Sequence, residues 1–226
     1  MKPGRTLVIA IDGIAGSGKS TAGKIIAEEF GGTLIAGDKL MFKFMEGQPK
    51  LMETIYGHPM DDMSGRDYLH SYLKRPEQLI KMISWVNPHI ENHVHEAIHD
   101  AKRNKKPVVI YEGGACSTMN FWTNEPDTVK IIVKADSEKL IKAFAKRENE
   151  DLDLPRIIEE ALKRVIRPHD ADFIIHNQHD GIDKYKEYLL DVCNQIRKRI
   201  INLEQTPGGK KRNGGKVSQR KLSLII

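Results

Sequence analysis

Near the start of the chain, Gly13-Ile14-Ala15-Gly16-Ser17-Gly18-Lys19-Ser20-Thr21 satisfies the spacing Gly-x-x-x-x-Gly-Lys-Ser. That pattern suits the cradling of phosphate groups. The glycines let successive backbone N–H groups converge on phosphate oxygens, and a helix opening at this point adds the positive end of its dipole. Gly13, Ala15, Gly16, Ser17 and Gly18 would form the cradle, with Thr21 beside it. Lys19 is placed to reach between the β- and γ-phosphates, and the Ser20 hydroxyl to reach a magnesium ion. The surroundings agree. Thr6–Ile11 is a short, mostly β-branched apolar run that predicts a buried strand. From Ser20 onward Ala22, Ile25, Ile26 and Phe30 recur at helical spacing until Gly31-Gly32 ends the helix. A glycine turn with no ligand would have no reason to hold a lysine and a hydroxyl together at the helix start.

The motif does not choose among phosphoryl transfer, hydrolysis and switching, so the acids at the other strand ends matter. Asp38 follows the second predicted strand, Thr33–Ala36, at the edge of the sheet where such folds place their sites. Facing the loop, its carboxylate would orient an acceptor hydroxyl or take its proton; the competing role is capping of the next helix. Asp12 ends the first strand and would support the loop or a magnesium-bound water. Glu112 ends the strand Val108–Tyr111, where an acid would hold the metal, directly or through water, or a substrate group. Gly113-Gly114 after it permits close backbone approach. Arg147, Arg156, Arg164 and Arg167 sit on or beside the two helices around the acid-rich segment 148–153, where arginines of a mobile lid would cover transferred charge. An exposed basic helix face is the competing reading. Of the nine histidines, His89, His93 and His95 share a helix without an Asp or Cys partner, and read as surface or packing residues. His176 and His179 flank Asn177 after the last predicted strand, beside the expected nucleotide base.

These elements order themselves as strand, helix, strand through the chain. Residues 39–75 read as irregular, one or two helices and loops on the substrate side. Pro76 opens a long helical pattern, which Pro88 interrupts and which resumes to about Arg103. Val129–Val133 is a further strand, followed by a helix from Ser137 to Arg147. A basic helix from Leu154 to Arg167, a strand at Phe173–Ile175 and a final helix from Ile182 to about Ile200 complete the pattern. The expectation is an α/β fold, three layers with a parallel sheet of about five strands. Residues 1–205 would form one domain, with a helical lobe at about 39–103 and a lid at about 148–168.

The 226 residues suffice for one core. The formal charge of +5 comes from six basic residues between Lys210 and Lys221, where no acid stands. Residues 206–226 therefore read as a disordered basic tail over a near-neutral body. No apolar run approaches the roughly 18 residues of a membrane span, and the start leads into a strand, not a signal peptide. Cys116 and Cys193 lack metal-ligand spacing and read as reduced thiols of a cytoplasmic protein.

With these residues in view the chain resembles the dephospho-coenzyme A kinase family, within the P-loop nucleoside and nucleotide kinase-like proteins. The resemblance covers most of 6–198. Gly16–Thr21 looks like the family's loop. Gly37-Asp38-Lys39-Leu40 stands where the family has Asp-Ala-Asp-x-Ile, which gives Asp38 the role of base while Ala36 lacks the first Asp. Phe42 replaces an arginine. Gly65–Leu69 with Lys74–Glu77 resembles the stretch before the long helix, and Asn87-Pro88-His89-Ile90 its His-Pro-x-Ile element. Val108–Gly114 corresponds to a strand whose Pro-Leu-Leu-Phe is missing. Arg147, Arg164 and Arg167 match basic family positions, which makes Arg147 and Arg164 the candidate lid cations, while Ala143 and Ala161 replace an arginine and a glutamine. Ala171–Asn177 is similar to the Ala-Asp-x-Val-Ile-x-Asn element near the adenine. The resemblance implies ATP and Mg2+ as cofactors, transfer to the ribose 3′-hydroxyl of dephospho-coenzyme A, and a place in coenzyme A biosynthesis.

Other readings stay open. The departures lie on the acceptor side, and the Ile-Asp-Gly-x-Ala-Gly-Ser-Gly-Lys-Ser opening also looks like that of cytidylate kinases, so a nucleoside or nucleoside monophosphate is the alternative acceptor. An ATPase or switch is a further class, although no Asn-Lys-x-Asp guanine-reading element is present. The basic tail can hold nucleic-acid phosphates, yet it lacks aromatic residues for stacking bases and reads first as a solubilising extension.

Overall fold

The fold is given by a computed structural model, which describes residues 6–119, 122, 128–148, 152–178 and 181–205. The basic tail, His179 and residues 149–151 of the acid-rich segment lie outside the described residues, as do the side chains of 139, 143, 147, 148 and 201–205. Among the described residues no helix is long and apolar enough to cross a membrane.

Five strands form one parallel sheet: β1 (Leu7–Gly13), β2 (Thr33–Ala36), β3 (Val108–Glu112), β4 (Thr128–Lys134) and β5 (Phe173–His176). Their order is β2-β3-β1-β4-β5. All seven residues of β1 are buried because strands cover both its edges and helices both its faces, which explains a continuous apolar run where one buried face would give alternation. The two-residue period of a strand then sorts side chains into two cores. Val8, Ala10, Val109, Tyr111 and Ile132 face one way; Leu7, Ile9, Ile11, Val108, Ile110, Ile131 and Val133 face the other.

The second face is covered by α1 (Lys19–Phe30) and α8 (Ile182–Gln205) through Ile25, Ile26, Leu189 and Ile196. Gly31 ends α1 in the left-handed conformation, as its position in the sequence predicts. The first face carries α2 (Gly37–Glu46), α3 (Pro49–Tyr56), α4 (Gly65–Tyr72), α5 (Pro76–Arg103), α6 (Ser137–Glu148) and α7 (Asp153–Val165).

Two expectations are corrected here. Residues 37–72 hold three helices where one or two with loops were expected over 39–75. Each has only eight to ten residues, too short to display a clear period, and each is held by a few buried anchors such as Met45, Met52 and Tyr68. Nor does Pro88 interrupt the long helix: α5 runs unbroken for 28 residues with Pro88 inside it. A proline in a helix interior costs about 3 kcal/mol. Val86, Ile90, Val94 and Ile98 on the same helix are all buried, and each such burial contributes about 1.5–3 kcal/mol. Packing on the sheet outweighs the lost hydrogen bond.

One carboxylate joins the ends of two strands. Asp12 is fully buried; its Oδ1 accepts from the N–H of Gly13 at 2.7 Å and of Ala115 at 2.9 Å, and its Oδ2 from the N–H of Ser117 at 2.8 Å. Of the two sequence readings for Asp12, this arrangement is support of the loops. Ala115 is held at a φ of 63°, a conformation that costs a non-glycine residue about 1 kcal/mol. Replacing Asp12 with Ala leaves three N–H groups without their acceptor, and we expect a loss of roughly 3 kcal/mol or more, measured by urea denaturation.

Candidate active site

The parallel sheet brings the ends of β1, β2 and β3 to one edge, with the chain leaving β1 between its two neighbours. That is the position where open α/β sheets bind ligands. The 13–18 loop turns there into α1, with Gly16 and Gly18 at φ of 82° and 93°. The loop is gripped from behind. Asn177 Nδ2 donates to the Ser17 carbonyl at 3.0 Å and the Tyr185 hydroxyl to the Gly18 carbonyl at 3.4 Å. The grip takes up two carbonyls of the loop, while the N–H groups of Gly13 and Ser17 are bonded to Asp12 and to the Ile14 carbonyl. A Cβ on Gly18 would lie 2.6 Å from Asn177 Nδ2 and 3.1 Å from the Tyr185 ring, so no larger residue fits that grip.

Lys19 opens α1 and is 5% exposed. Its Nζ lies 3.7 Å from Asp38 Oδ2. Asp38 stands in the first turn of α2, whose N-cap is Ala36; it is therefore not the capping residue, and its carboxylate turns to the lysine. Ser20 Oγ donates to Glu112 Oε2 at 3.1 Å, and Glu112 is 4% exposed. Burial pushes the Glu112 carboxyl above its ordinary value of 4.5, against the pull of Lys19 and the Ser20 hydrogen bond. Lys19, Ser20, Asp38 and Glu112 thus meet although they are up to 93 positions apart in the chain.

These four line one end of a cleft of about 900 Å³. Ala15, Gly16, Gly18 and Thr21 share that end. The lining also includes Met41, Phe42, Arg66, Leu69 and His70 from α2 and α4, and Phe144, Ile158 and Leu162 from α6 and α7. Two observations fit the phosphates of a nucleotide: the glycine cradle, and a buried Ser17 hydroxyl that has no hydrogen-bond partner among the described residues. Ser20 and Glu112 supply the hard oxygen donors that magnesium prefers.

Other expected site residues fall elsewhere. Arg164 lies outside the cleft, where it is ion-paired with Glu77 at 2.6 Å and with Glu160. These carboxylates hold its pKa above the ordinary guanidinium value. Arg147 is on α6, its side chain outside the described residues. Asn177 grips the loop through Ser17. The sequence reading missed Tyr185, which looked like one more residue of the last helix, and Arg66, whose presence in the cleft depends on how α4 docks. Lys19 and Asp38 were read one by one; their pairing has no sequence signal.

No family model matches the chain. It is 27% identical over 194 residues to the dephospho-CoA kinase of Leptospira interrogans serogroup Icterohaemorrhagiae serovar Lai, a span of 81% of this chain and 89% of that protein. Among solved structures, TT1252 from Thermus thermophilus matches with a TM-score of 0.54 at 18% identity, covering 89% of this chain and 99% of that one. A gluconokinase from Sinorhizobium meliloti matches with a TM-score of 0.50 at 14% identity, covering 87% and 96%. The chain is a distant homologue of dephospho-CoA kinase, and its five-stranded parallel sheet is that of the P-loop kinase fold.

Gly18→Ala forces a Cβ into the Asn177 grip at a strained φ, and we expect ADP affinity measured by calorimetry to fall by about a hundredfold. Glu112 gives a pH signature. A carboxyl raised above 4.5 favours its protonated form in the free protein, so its contribution to stability is present below 4.5 and lost as pH rises through the raised value. Metal binding needs the carboxylate and has the opposite sign. The magnesium dependence of ADP binding should strengthen as pH rises from 4.5 through the raised value, and Glu112→Gln should flatten that slope.

Proposed function

We propose that this chain is an ATP- and magnesium-dependent phosphotransferase that acts on the ribose 3′-hydroxyl of dephospho-coenzyme A. The observation that carries the reading is the meeting of Lys19, Ser20, Asp38 and Glu112 at one end of a cleft with room for a second ligand. The similarity to the Leptospira dephospho-CoA kinase supplies the acceptor.

In this reading Asp38 Oδ2 accepts the proton of the acceptor hydroxyl as that oxygen bonds to the γ-phosphorus. The bond from the γ-phosphorus to the bridging oxygen breaks, and ADP leaves. Lys19 balances charge on the phosphate oxygens once they displace its present partner, Asp38. Ser20 and Glu112, the latter directly or through water, hold the metal, which when bound neutralises phosphate charge. Phe144, Ile158 and Leu162 exclude water from the cleft and so limit hydrolysis. Arg147 serves as the lid cation, and Arg164 as the tie between α7 and α5. A second acceptor class, nucleosides or nucleoside monophosphates, is favoured by Phe42, an aromatic side chain on the acceptor wall.

The test is incubation with Mg-ATP and a panel of dephospho-coenzyme A, nucleosides and nucleoside monophosphates, with products followed by mass. Coenzyme A is the expected product. Lys19→Ala and Asp38→Asn should each lower its rate by about a hundredfold or more. Transfer to another panel member removes the acceptor assignment, and ADP release with no phosphorylated acceptor removes the kinase reading.

A further inference from the structure

Tyr111 precedes Glu112 on β3, so its side chain leaves the opposite face of the strand. It is 1% exposed. Its phenol occupies the space that two glycines leave. A Cβ on Gly37 would collide with the Tyr111 hydroxyl and lie 2.9 Å from its Cζ; a Cβ on Gly113 would lie 2.8 Å from the hydroxyl. Gly37 is the first residue of α2 and the immediate neighbour of Asp38. The first turn of the helix that carries Asp38 therefore rests on the Tyr111 ring.

The ring cannot give way. β3 is paired on both sides, Ala10 to Tyr111 on one and Ile35 to Tyr111 on the other, so the phenol stands on a strand held from both sides. Beside it is a cavity of about 20 Å³ whose lining includes Asp38, Met41, Asn87 and Tyr111, room for about one water. Without the ring that cavity would widen, and the first turn of α2 could sink toward the sheet with Asp38 on it. The next residue along the strand, Glu112, holds Ser20. One strand end would then set the height of both acids above the loop.

We propose that Tyr111 is a positioning residue: its buried phenol, packed in the gap left by Gly37 and Gly113, sets the distance of Asp38 from Lys19. The proposal rests on the phosphotransferase reading for its effect on turnover, but only on the Lys19–Asp38 pair for its effect on nucleotide binding. The two can therefore fail separately.

The experiment is a double-variant cycle on ADP binding by calorimetry, beside steady-state transfer. Asp38→Ala removes one partner of Lys19 and tightens ADP by about threefold. Tyr111→Leu reproduces part of that gain, and the combined variant binds no tighter than Asp38→Ala alone. Additive effects would overturn the proposal. In turnover, Tyr111→Leu and Gly37→Ala each lower kcat by about tenfold with KM for ATP within about twofold. Tyr111→Phe, which keeps the ring, retains most of kcat. Gly37→Ala should cost less when combined with Tyr111→Leu than alone. Wild-type kcat in both Tyr111→Leu and Gly37→Ala also overturns the proposal. If Tyr111→Leu does not fold, the cycle of Gly37→Ala with Asp38→Ala decides in the same way. A wild type that transfers nothing sinks the phosphotransferase reading and leaves the binding cycle to judge Tyr111.

Discussion

The fully buried carboxylate of Asp12 holds the ends of β1 and β3 together. At the C-terminal edge of a parallel sheet the strands run out of inter-strand partners, and the outgoing chains carry N–H groups that need acceptors in a place without water. Asp12 answers three of them. The phosphate loop leaves from one side of that junction and the Gly113–Ser117 turn from the other. Ser117 then passes the connection on, because its Oγ accepts the N–H of Arg167 just beyond α7. The loop, the acid on β3 and the lid helix are thus referred to a single point.

Charge in the site is arranged in pairs that a ligand can exchange. Lys19 faces Asp38, and Ser20 is engaged by Glu112. Under the proposed function a nucleotide phosphate would offer Lys19 a stronger partner than Asp38, and a magnesium ion would compete for the oxygen atoms of Ser20 and Glu112. Ligands would then displace contacts between the residues that receive them. The grip of Asn177 and Tyr185 on the loop carbonyls belongs to the same design, since it fixes which side of the backbone faces outward.

The helices on the first face follow a different logic. α5 spans about 42 Å at 1.5 Å per residue and forms the floor on which α7 packs. Arg164 ties the two at the surface through Glu77 and Glu160, a contact worth little by itself at such exposure. The apolar side chains of α7 that turn into the cleft, Ile158 and Leu162, give that helix its larger share of the site.

The phosphate loop, the buried central strand and the alternation of strands with helices were legible in the chain, because each depends on local spacing: glycines before Lys19-Ser20, a short apolar run, a glycine pair at a helix end. Asp38 and Glu112 were legible as strand-end acids. Their partners were not. Lys19 meets Asp38, Ser20 meets Glu112 and Asp12 meets Ser117 across sequence separations of up to 105 positions, and only the order β2-β3-β1-β4-β5 makes them neighbours. Pro88 signalled a break that packing overrode, and the three short helices had too few turns to show a period. Arg164 reads as a lid cation from its charge and the family resemblance; its pairing with Glu77 and Glu160 depends on how α7 docks against α5. Local spacing determined which residues can do chemistry, and long-range packing decided which of them meet.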